Sequence, residues 1–350
     1  MELDNLVSRR RVLAAAPALA AGLVLAGCGS SGSSGGSGGK SLDIVLVVPG
    51  TLGDKGFFDS ANRGLQMMHS QLGAKTKVLQ ASPTDPAQWL QNLQAVAGKV
   101  YNLVITGSSQ MKDNLQKVAS ADSKQKFVYF DDIVSLPNVA SIRYLQNQGS
   151  FLAGVLAAIV TTDTKSFPLS KGKKSVGLVG GQNIPVINDF VVGFKKGVQS
   201  VDPSIQILLS YVGSFSDPQK GYDETTAMYQ SGADIVYAVA GDSGLGVLKA
   251  SQAANRYSIG VDSNQNGLYP GHVVASMVKR VDNSTFALVQ KFQQNKLAFG
   301  KTYLFGLKNN GIGLIIDNQL VSASVVSRLN SLRDQVVSGK IQVPTTYSNG

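Results

Sequence analysis

The sequence contains one cysteine, two histidines and one tryptophan in 350 residues. A single cysteine excludes an intramolecular disulfide, so the chain must fold without that covalent support. His69 and His272 have no serine or carboxylate partner at motif spacing, and no group of His, Cys and acidic residues has the spacing of metal ligands. We therefore expect no metal, no cofactor and no enzymatic activity.

Nucleotide-binding and nucleic-acid-binding motifs are also lacking. The glycine-rich residues 177–181 do not have the GxGxxG spacing, and residues 241–246 do not have the Lys-Ser/Thr pair of a phosphate-binding loop. The net charge is +10, but the basic residues are scattered and are densest at 171–174 and 195–196. No zinc-finger, helix-turn-helix or RNA-binding motif accompanies them, so we expect no nucleic-acid partner.

The N-terminal segment has the features of an export signal. Three consecutive arginines precede an apolar stretch of small residues over 12–26, which is shorter than the ~20 residues of a membrane-spanning helix. This stretch ends at Leu25-Ala26-Gly27-Cys28, the lipobox pattern of bacterial lipoproteins. The sequence predicts a signal peptide over 1–27 and a lipidated Cys28 with a Gly/Ser tether over 28–40. The alternative for Cys28 is a buried thiol, and the paired arginines also resemble a twin-arginine export signal.

From residue 42 onward, short apolar runs alternate with segments of helical periodicity. The candidate strands are 42–48, 77–80, 103–106, 127–130, 175–179, 205–211, 235–239 and 259–261. The candidate helices are 59–72, 87–97, 149–160, 188–200, 217–230, 243–255, 284–295 and 325–337. Most of the apolar runs are too continuous for strands buried on one face, so they predict buried parallel strands. The alternation predicts an α/β protein with two doubly wound lobes.

Ligands bind to folds of this kind at the loops that follow the carboxyl ends of the strands. Those loops are rich in small residues, carboxylates and amides: Asp54, Lys55, Phe57 and Phe58, then Gly107-Ser108-Ser109, Asp131-Asp132, Gly180-Gly181-Gln182-Asn183, Gly241-Asp242-Ser243 and Asp262-Ser263-Asn264-Gln265. This composition predicts a polar small molecule bound between the two lobes.

Several motifs in order along the chain resemble the basic membrane protein family, the PnrA-like nucleoside-binding lipoproteins of ABC importers. They include GDKGFF at 53–58, FVYFD at 127–131, AGDSGLGV at 240–247 and GVDSNQ at 260–265. The resemblance extends from about residue 42 to 279 and more loosely beyond.

This resemblance implies a type I periplasmic-binding-protein fold, in which two lobes joined by a three-crossover hinge close on a ligand. The N-terminal lobe would consist of 41–145 plus about 275–305, and the C-terminal lobe of 146–274 plus about 306–350.

The resemblance also implies roles for individual residues. Phe57 would stack on a purine, Asp131 would bind the edge of the base, and Asp262 would bind ribose hydroxyls with Lys279 nearby. Tyr237 is the candidate for the opposing aromatic wall.

The remaining candidates lie in the same loops. Phe58 and Gly241 are further ligand-binding candidates, and Asp54 and Lys55 are expected to brace the first loop as a charge pair. Phe58 departs from the family pattern, because an asparagine that could bind the sugar usually stands there.

Most of these assignments have a structural alternative. Phe57 could be a staple that packs under the following helix. Asp131 and Asp262 could be turn or cap residues. Tyr237 lies inside an apolar strand and could belong to the core. The acidic residue that usually follows Asp262 is also replaced, which weakens the expectation of ribose recognition.

Taken together, the sequence predicts an exported, lipid-anchored, monomeric substrate-binding protein. It would bind a purine nucleoside or a related heterocycle and deliver it to the permease and ATPase subunits of an ABC importer. One alternative is a ligand-sensing lipoprotein without a transport role. Another is a different ligand, such as riboflavin, a sugar or an amino acid.

Overall fold

The computed structural model describes residues 42–346, so the expected signal peptide, Cys28 and the tether lie outside the described residues. The strands are β1 (Asp43–Val47), β2 (Lys75–Leu79), β3 (Leu103–Gly107), β4 (Phe127–Phe130), β5 (Val139–Tyr144), β6 (Ser175–Gly180), β7 (Gln206–Tyr211), β8 (Ile235–Val239), β9 (Tyr257–Asp262), β10 (Val273–Lys279), β11 (Lys301–Phe305) and β12 (Ile312–Ile316). The helices are α1 (Phe57–Leu72), α2 (Pro86–Val96), α3 (Lys112–Ala121), α4 (Gln146–Thr162), α5 (Pro185–Val201), α6 (Pro218–Gln230), α7 (Ser243–Ala253), α8 (Val281–Gln293) and α9 (Ala323–Val337). None of the helices in the described range is long and apolar enough to cross a membrane.

The strands form two six-stranded sheets of matching order. The first is β11-β5-β4-β3-β1-β2, and the second is β12-β10-β9-β8-β6-β7. All neighbouring strands are parallel except β10 and β12, which are antiparallel. In each sheet the first strand lies between the second and the third, which is the doubly wound arrangement with a switch point beside the first strand. The α/β fold with two doubly wound lobes is confirmed.

The burial of the strands follows from their position in the sheets. The central strands β3, β4 and β8 are buried along their whole length because helices cover both faces. The edge strands β2 and β11 are partly exposed and carry lysines. Continuous apolar runs therefore predicted the central strands well, whereas the mixed composition of β11 gave no such signal.

The chain passes between the sheets three times. After β5 it enters α4, which packs against α5 of the second lobe. After β10 it enters α8, which packs against α1 of the first lobe, and it returns from β11 to β12. Because β10 pairs in the second sheet as far as Lys279, the second passage falls at Arg280, a few residues later than the expected position near 275.

The C-terminal segment is fixed to the start of α4 and α5. Asn147 Nδ2 donates to the carbonyl oxygens of Val343 and Pro344 at 3.1 and 3.0 Å. The carboxylate of Asp189 accepts a 2.6 Å hydrogen bond from Thr345 Oγ1 and a 3.0 Å bond from the N–H of Thr346. These contacts hold the last described residues against the second lobe.

Candidate functional site

A cavity of about 480 Å³ lies between the lobes, at the carboxyl ends of both sheets. The first lobe lines it with residues of the loops after β1, β2, β3 and β4, including Asp54, Thr84, Ser108 and Asp131, together with Phe57 and Phe58. The second lobe contributes Gln182, Phe190, Phe215, Gly241, Asp262 and Lys279, among others. The volume is in the range of small-molecule binding sites.

Asp54 organises the first loop through backbone hydrogen bonds. Its carboxylate accepts from the N–H groups of Gly56, Phe58 and Asp59 at 3.0, 2.8 and 3.0 Å. These groups stand at the start of α1, where N–H donors have no partner within the helix. The expected charge pair is not present, since no ion pair between residues 42 and 346 joins Asp54 to Lys55. Lys55 takes part through its backbone, where its N–H donates to Asp59 Oδ2 at 3.1 Å.

Two aromatic rings at the start of α1 line the cavity. The ring centroid of Phe57 lies 5.4 Å from that of Phe130 and 5.3 Å from that of Phe58, and both pairs are tilted. A Cβ atom at Gly50 would lie 2.7 Å from the ring of Phe58, so the glycine leaves the space that this ring occupies. Both phenylalanines are partly exposed and available to a ligand.

The aromatic residues that the second lobe contributes to the cavity are Phe190 of α5 and Phe215, and the expectation for Tyr237 was wrong in this respect. Tyr237 is fully buried, does not line the cavity, and packs on Phe194 at a centroid distance of 5.6 Å. Its hydroxyl lies 3.4 Å from Ser150 Oγ. Tyr237 lies inside β8, two residues before its end, whereas Gly241 follows the strand and reaches the cavity.

A buried ion pair crosses the cavity between the lobes. Lys279 Nζ donates to Asp131 Oδ1 at 2.6 Å, and the lysine side chain is only 3% exposed. The ammonium also lies 5.3 Å from the ring centroid of Phe57 and 4.9 Å from that of Phe190. A cation at this distance from ring faces is attracted to them, so Lys279 links aromatic groups of both lobes.

The two cavity carboxylates at the strand ends have raised pKa values. Burial raises the pKa of Asp131, although Lys279 opposes the effect. Burial likewise raises the pKa of Asp262 to about 7, with Lys279 again opposing it and Asp131 adding to it. None of the described residues donates a hydrogen bond to the side chain of Asp262, so this carboxylate faces the cavity as a free acceptor.

Three lining residues have left-handed backbone conformations that side chains other than glycine rarely adopt. The φ angles of Ser108, Asp131 and Asp262 are 79°, 77° and 65°. Each follows or ends a central strand, and each such conformation costs about 1–3 kcal/mol. Glycine could form these turns without strain. The presence of serine and aspartate instead agrees with a role for their side chains in binding a ligand.

The structure thus brings six predicted residues to one cavity: Phe57, Phe58, Asp131, Gly241, Asp262 and Lys279. The loops after β2 and β7 also line the cavity, and none of their residues was predicted. Phe215 and the serines 214 and 216 follow β7, and Pro83 and Thr84 follow β2. Next to them, the indole N–H of Trp89 donates to the carbonyl oxygen of Ser82 at 2.7 Å. The loops after β2 and β7 also follow the carboxyl ends of strands, so the rule that ligands bind at such loops predicts them as well.

Comparison with known proteins identifies the relatives of this chain. The Bmp family profile, described as ABC transporter substrate-binding protein PnrA-like, matches residues 41–347. The ABC transporter nucleoside-binding protein BmpA of Lactococcus lactis is 30% identical over 361 residues, covering 96% of this chain and 99% of the relative. Basic membrane protein D of Borreliella burgdorferi is 28% identical over 339 residues, covering 93% and 95%.

A solved structure supports the fold. The crystal structure of ABC transporter system solute-binding proteins from Aeropyrum pernix K1 has a TM-score of 0.77 and 24% sequence identity, and covers 87% of this chain and 94% of that chain. This likeness confirms the type I periplasmic-binding-protein fold. Because the family profile extends over most of the sequence, the chain belongs to the Bmp family of PnrA-like ABC transporter substrate-binding proteins.

Proposed function

We propose that this protein is the extracytoplasmic, lipid-anchored substrate-binding component of an ABC importer. It binds a purine nucleoside or a related flat heterocycle between its lobes and delivers it to a permease. The proposed lobes consist of the first sheet with the helices around it and the second sheet with the helices around it. Ligand stabilises the closed arrangement of these lobes, and the permease recognises that closed form.

The observation that supports this proposal most directly is the pair of phenylalanines on opposite walls of one cavity. Phe57 belongs to the first lobe and Phe190 to the second, and both line the cavity beside the Lys279 ammonium. Flat π-systems stack on aromatic side chains, so a ligand that stacks on one ring from each lobe stabilises the closed arrangement of the lobes. The relative from Lactococcus lactis is named as nucleoside-binding, which agrees with a heterocyclic ligand.

The polar groups favour a ligand that donates hydrogen bonds. Asp262 faces the cavity as a free acceptor, and Asp131 lies near it at the end of β4. Carboxylates make strong hydrogen bonds to N–H and O–H donors when they are shielded from water. Ring nitrogens and ribose hydroxyls are donors of this kind, and we assign the base edge to Asp131 and the sugar to Asp262.

Isothermal titration calorimetry with a panel of compounds tests the ligand class. The panel contains purine and pyrimidine nucleosides, their free bases, riboflavin, a hexose and an amino acid. The protein is first unfolded and refolded to remove any ligand that purifies with it. We expect a purine nucleoside to bind most tightly. Tight binding of the hexose or the amino acid, with no binding of any heterocycle, would overturn the proposal.

A phenylalanine substitution tests the site. Phe57→Ala should weaken the tightest heterocycle by about 5- to 150-fold, the range that corresponds to about 1–3 kcal/mol of base stacking. Phe299→Ala is a suitable control, because Phe299 packs edge-on against Phe292 outside the cavity. Equal losses of affinity in both variants would show that the effect of Phe57→Ala is not local.

Anchoring and import can be tested in cells. Cys28→Ala should release the protein from the membrane fraction and abolish incorporation of labelled fatty acid. Deletion of the gene should reduce uptake of the nucleoside that binds best in the panel. Normal uptake in the deletion strain would favour the ligand-sensing alternative over import.

A further inference from the structure

Hydrogen bonds that bridge the two lobes lie beside the cavity. Ser263 Oγ, in the loop after β9, donates to the carbonyl oxygen of Gly56 at 2.8 Å. Gln265 Nε2, in the same loop, donates to the carbonyl oxygen of Lys55 at 3.2 Å. Arg63 Nη2 on α1 donates to Ser263 Oγ at 2.8 Å. We call Arg63, Ser263 and Gln265 the latch.

The latch connects to the first turn of α1. The carbonyl oxygen of Gly56 accepts from Ser263 and also from the N–H of Ser60, which is the first hydrogen bond of the helix. The next residue, Phe57, carries a ring that lines the cavity. Ser263 is 7% exposed, so its bond to Gly56 is largely shielded from water. The second lobe therefore fixes the element that presents Phe57 to the ligand.

Two of the three latch side chains, Gln265 and Arg63, are oriented by their own lobes. Gln265 Oε1 accepts from the N–H of Val261 at 2.9 Å, which turns the amide nitrogen towards the first lobe. Its backbone N–H donates to Ser276 Oγ at 2.9 Å. On the other side, the ion pair of Arg63 Nε with Asp282 Oδ2 at 3.5 Å directs the guanidinium towards Ser263. The amide of Gln265 and the guanidinium of Arg63 are thus held in place before the lobes meet, which reduces the entropic cost of closure.

The latch side chains do not belong to the binding surface. The cavity lining contains Asp54, Phe57 and Asp262, but none of the three latch side chains. A substitution in the latch therefore removes no side chain that lines the cavity. Separating the lobes would break these bridging bonds and expose both carbonyl groups to water.

We propose that Ser263, assisted by Arg63 and Gln265, is a positioning residue that holds the lobes closed and sets the residence time of the ligand. It acts through the backbone of the first loop and not through the ligand. The latch consequently adds the same factor to the affinity of every ligand that the closed form accepts. The reference to a bound ligand rests on the proposed function, whereas the effect on lobe closure does not.

Ligand dissociation gives the first test. In stopped-flow experiments with the panel compounds that bind, Ser263→Ala should raise the dissociation rate about tenfold, the effect of one well-formed hydrogen bond with its network, and change the association rate by less than about twofold. Arg63→Ala should have a smaller effect in the same direction. The factor should be equal for every compound. A factor that differs between compounds would indicate direct contact with the ligand and would overturn the positioning role.

Lobe closure without ligand gives a second test, which is independent of the ligand class. In a full-length Cys28→Ala chain, a Lys55→Cys and Asn264→Cys pair is cross-linked by a short bismaleimide at a rate proportional to the closed population. A separate Ser109→Cys chain is labelled in the cavity by a maleimide at a rate proportional to the open population. Ser263→Ala is then added to each chain. If the closed form is the minor population, cross-linking should slow about tenfold; if the open form is the minor population, cavity labelling should accelerate about tenfold.

Ser141→Ala is the matched control. Ser141 is 1% exposed, and its hydroxyl exchanges hydrogen bonds with the N–H and carbonyl of Val134 within the first lobe. This variant should lower the melting temperature without changing either rate, whereas Ser263→Ala should change a rate with little effect on melting. Unchanged closure, labelling and dissociation in Ser263→Ala would overturn the proposal. If no panel compound binds, the proposed function fails, but the cross-linking and cavity-labelling rates still test whether Ser263 holds the lobes closed.

Discussion

Asp262 should make the ligand-free protein less stable as the pH rises, and Asp262→Asn should remove this effect. Burial is the main reason that the pKa of Asp262 is raised from 3.8 to about 7, with Lys279 opposing the shift and Asp131 adding to it. In the unfolded chain the same carboxyl returns to its ordinary value. A group whose pKa is higher in the folded state stabilises the fold when protonated. That contribution is complete below the unfolded pKa and is lost as the pH rises through the folded one.

The size of the effect follows from the two pKa values of Asp262. Between pH 4 and pH 7 the folded state binds about one more proton than the unfolded state, so the free energy of unfolding falls by roughly 1.4 kcal/mol per pH unit. Over the interval from pH 5 to pH 8 the loss amounts to roughly 3 kcal/mol. Asparagine has nearly the same shape and no charge. The variant should therefore gain roughly 3 kcal/mol relative to the natural protein across that interval.

Chemical denaturation of both proteins at pH 5, 6, 7 and 8, after removal of bound ligand, measures this difference. Other titrating groups contribute almost equally to both curves and cancel in the comparison. Asp113→Asn serves as the control for the removal of a carboxylate outside the cavity, because Asp113 is exposed at the start of α3. If the curves of Asp262→Asn and the natural protein ran parallel, the burial of an ionisable Asp262 in the cavity would be refuted.

Three further substitutions test other parts of the structure. Lys279→Met leaves Asp131 buried without its cation, so the free energy of unfolding should fall by about 3–5 kcal/mol at pH 8. Because burial raises the pKa of Asp131 and Lys279 opposes that shift, the loss should be smaller at pH 5, and an equal loss at both pH values in denaturation curves would contradict this. Phe58→Asn replaces a cavity ring by an amide and should improve nucleoside binding about tenfold relative to the free base in calorimetry, whereas equal changes for both would place the sugar elsewhere. Asp189→Ala removes the acceptor of Thr345 and should lower the free energy of unfolding by about 1–3 kcal/mol and expose the C-terminal segment to carboxypeptidase; an unchanged digestion rate would mean that other contacts hold the segment.

The sequence predicted the lobes and most of the cavity for a definite physical reason. Central parallel strands are continuous apolar runs, and their carboxyl ends converge on the ligand site. Phe57, Asp131 and Asp262 follow from that geometry, and the structure does bring them to one cavity. Strands β5, β10, β11 and β12 were not predicted as strands, because their runs contain polar residues or glycine or lie at a sheet edge.

The errors at the site have a different origin. Residues 235–239 were correctly predicted as a strand, but Tyr237 lies inside that strand and is buried, whereas Gly241 follows it and lines the cavity. Phe190 could not be recognised because the face of α5 that meets the cavity depends on the packing of α4 and α5. The adjacent charges of Asp54 and Lys55 suggested a pair, but three backbone N–H groups satisfy the carboxylate more effectively. In each case the position of the side chain depends on tertiary packing, which local composition does not determine.

The hydrogen bond between Trp89 and Ser82 provides the protein with an optical reporter. Trp89 is the only tryptophan in the sequence, and Ser82 directly precedes the cavity-lining residues Pro83 and Thr84. A ligand that contacts this loop should alter the polarity around the indole and shift its emission. Because the loop belongs to the first lobe, fluorescence of the unlabelled protein follows occupancy of that lobe.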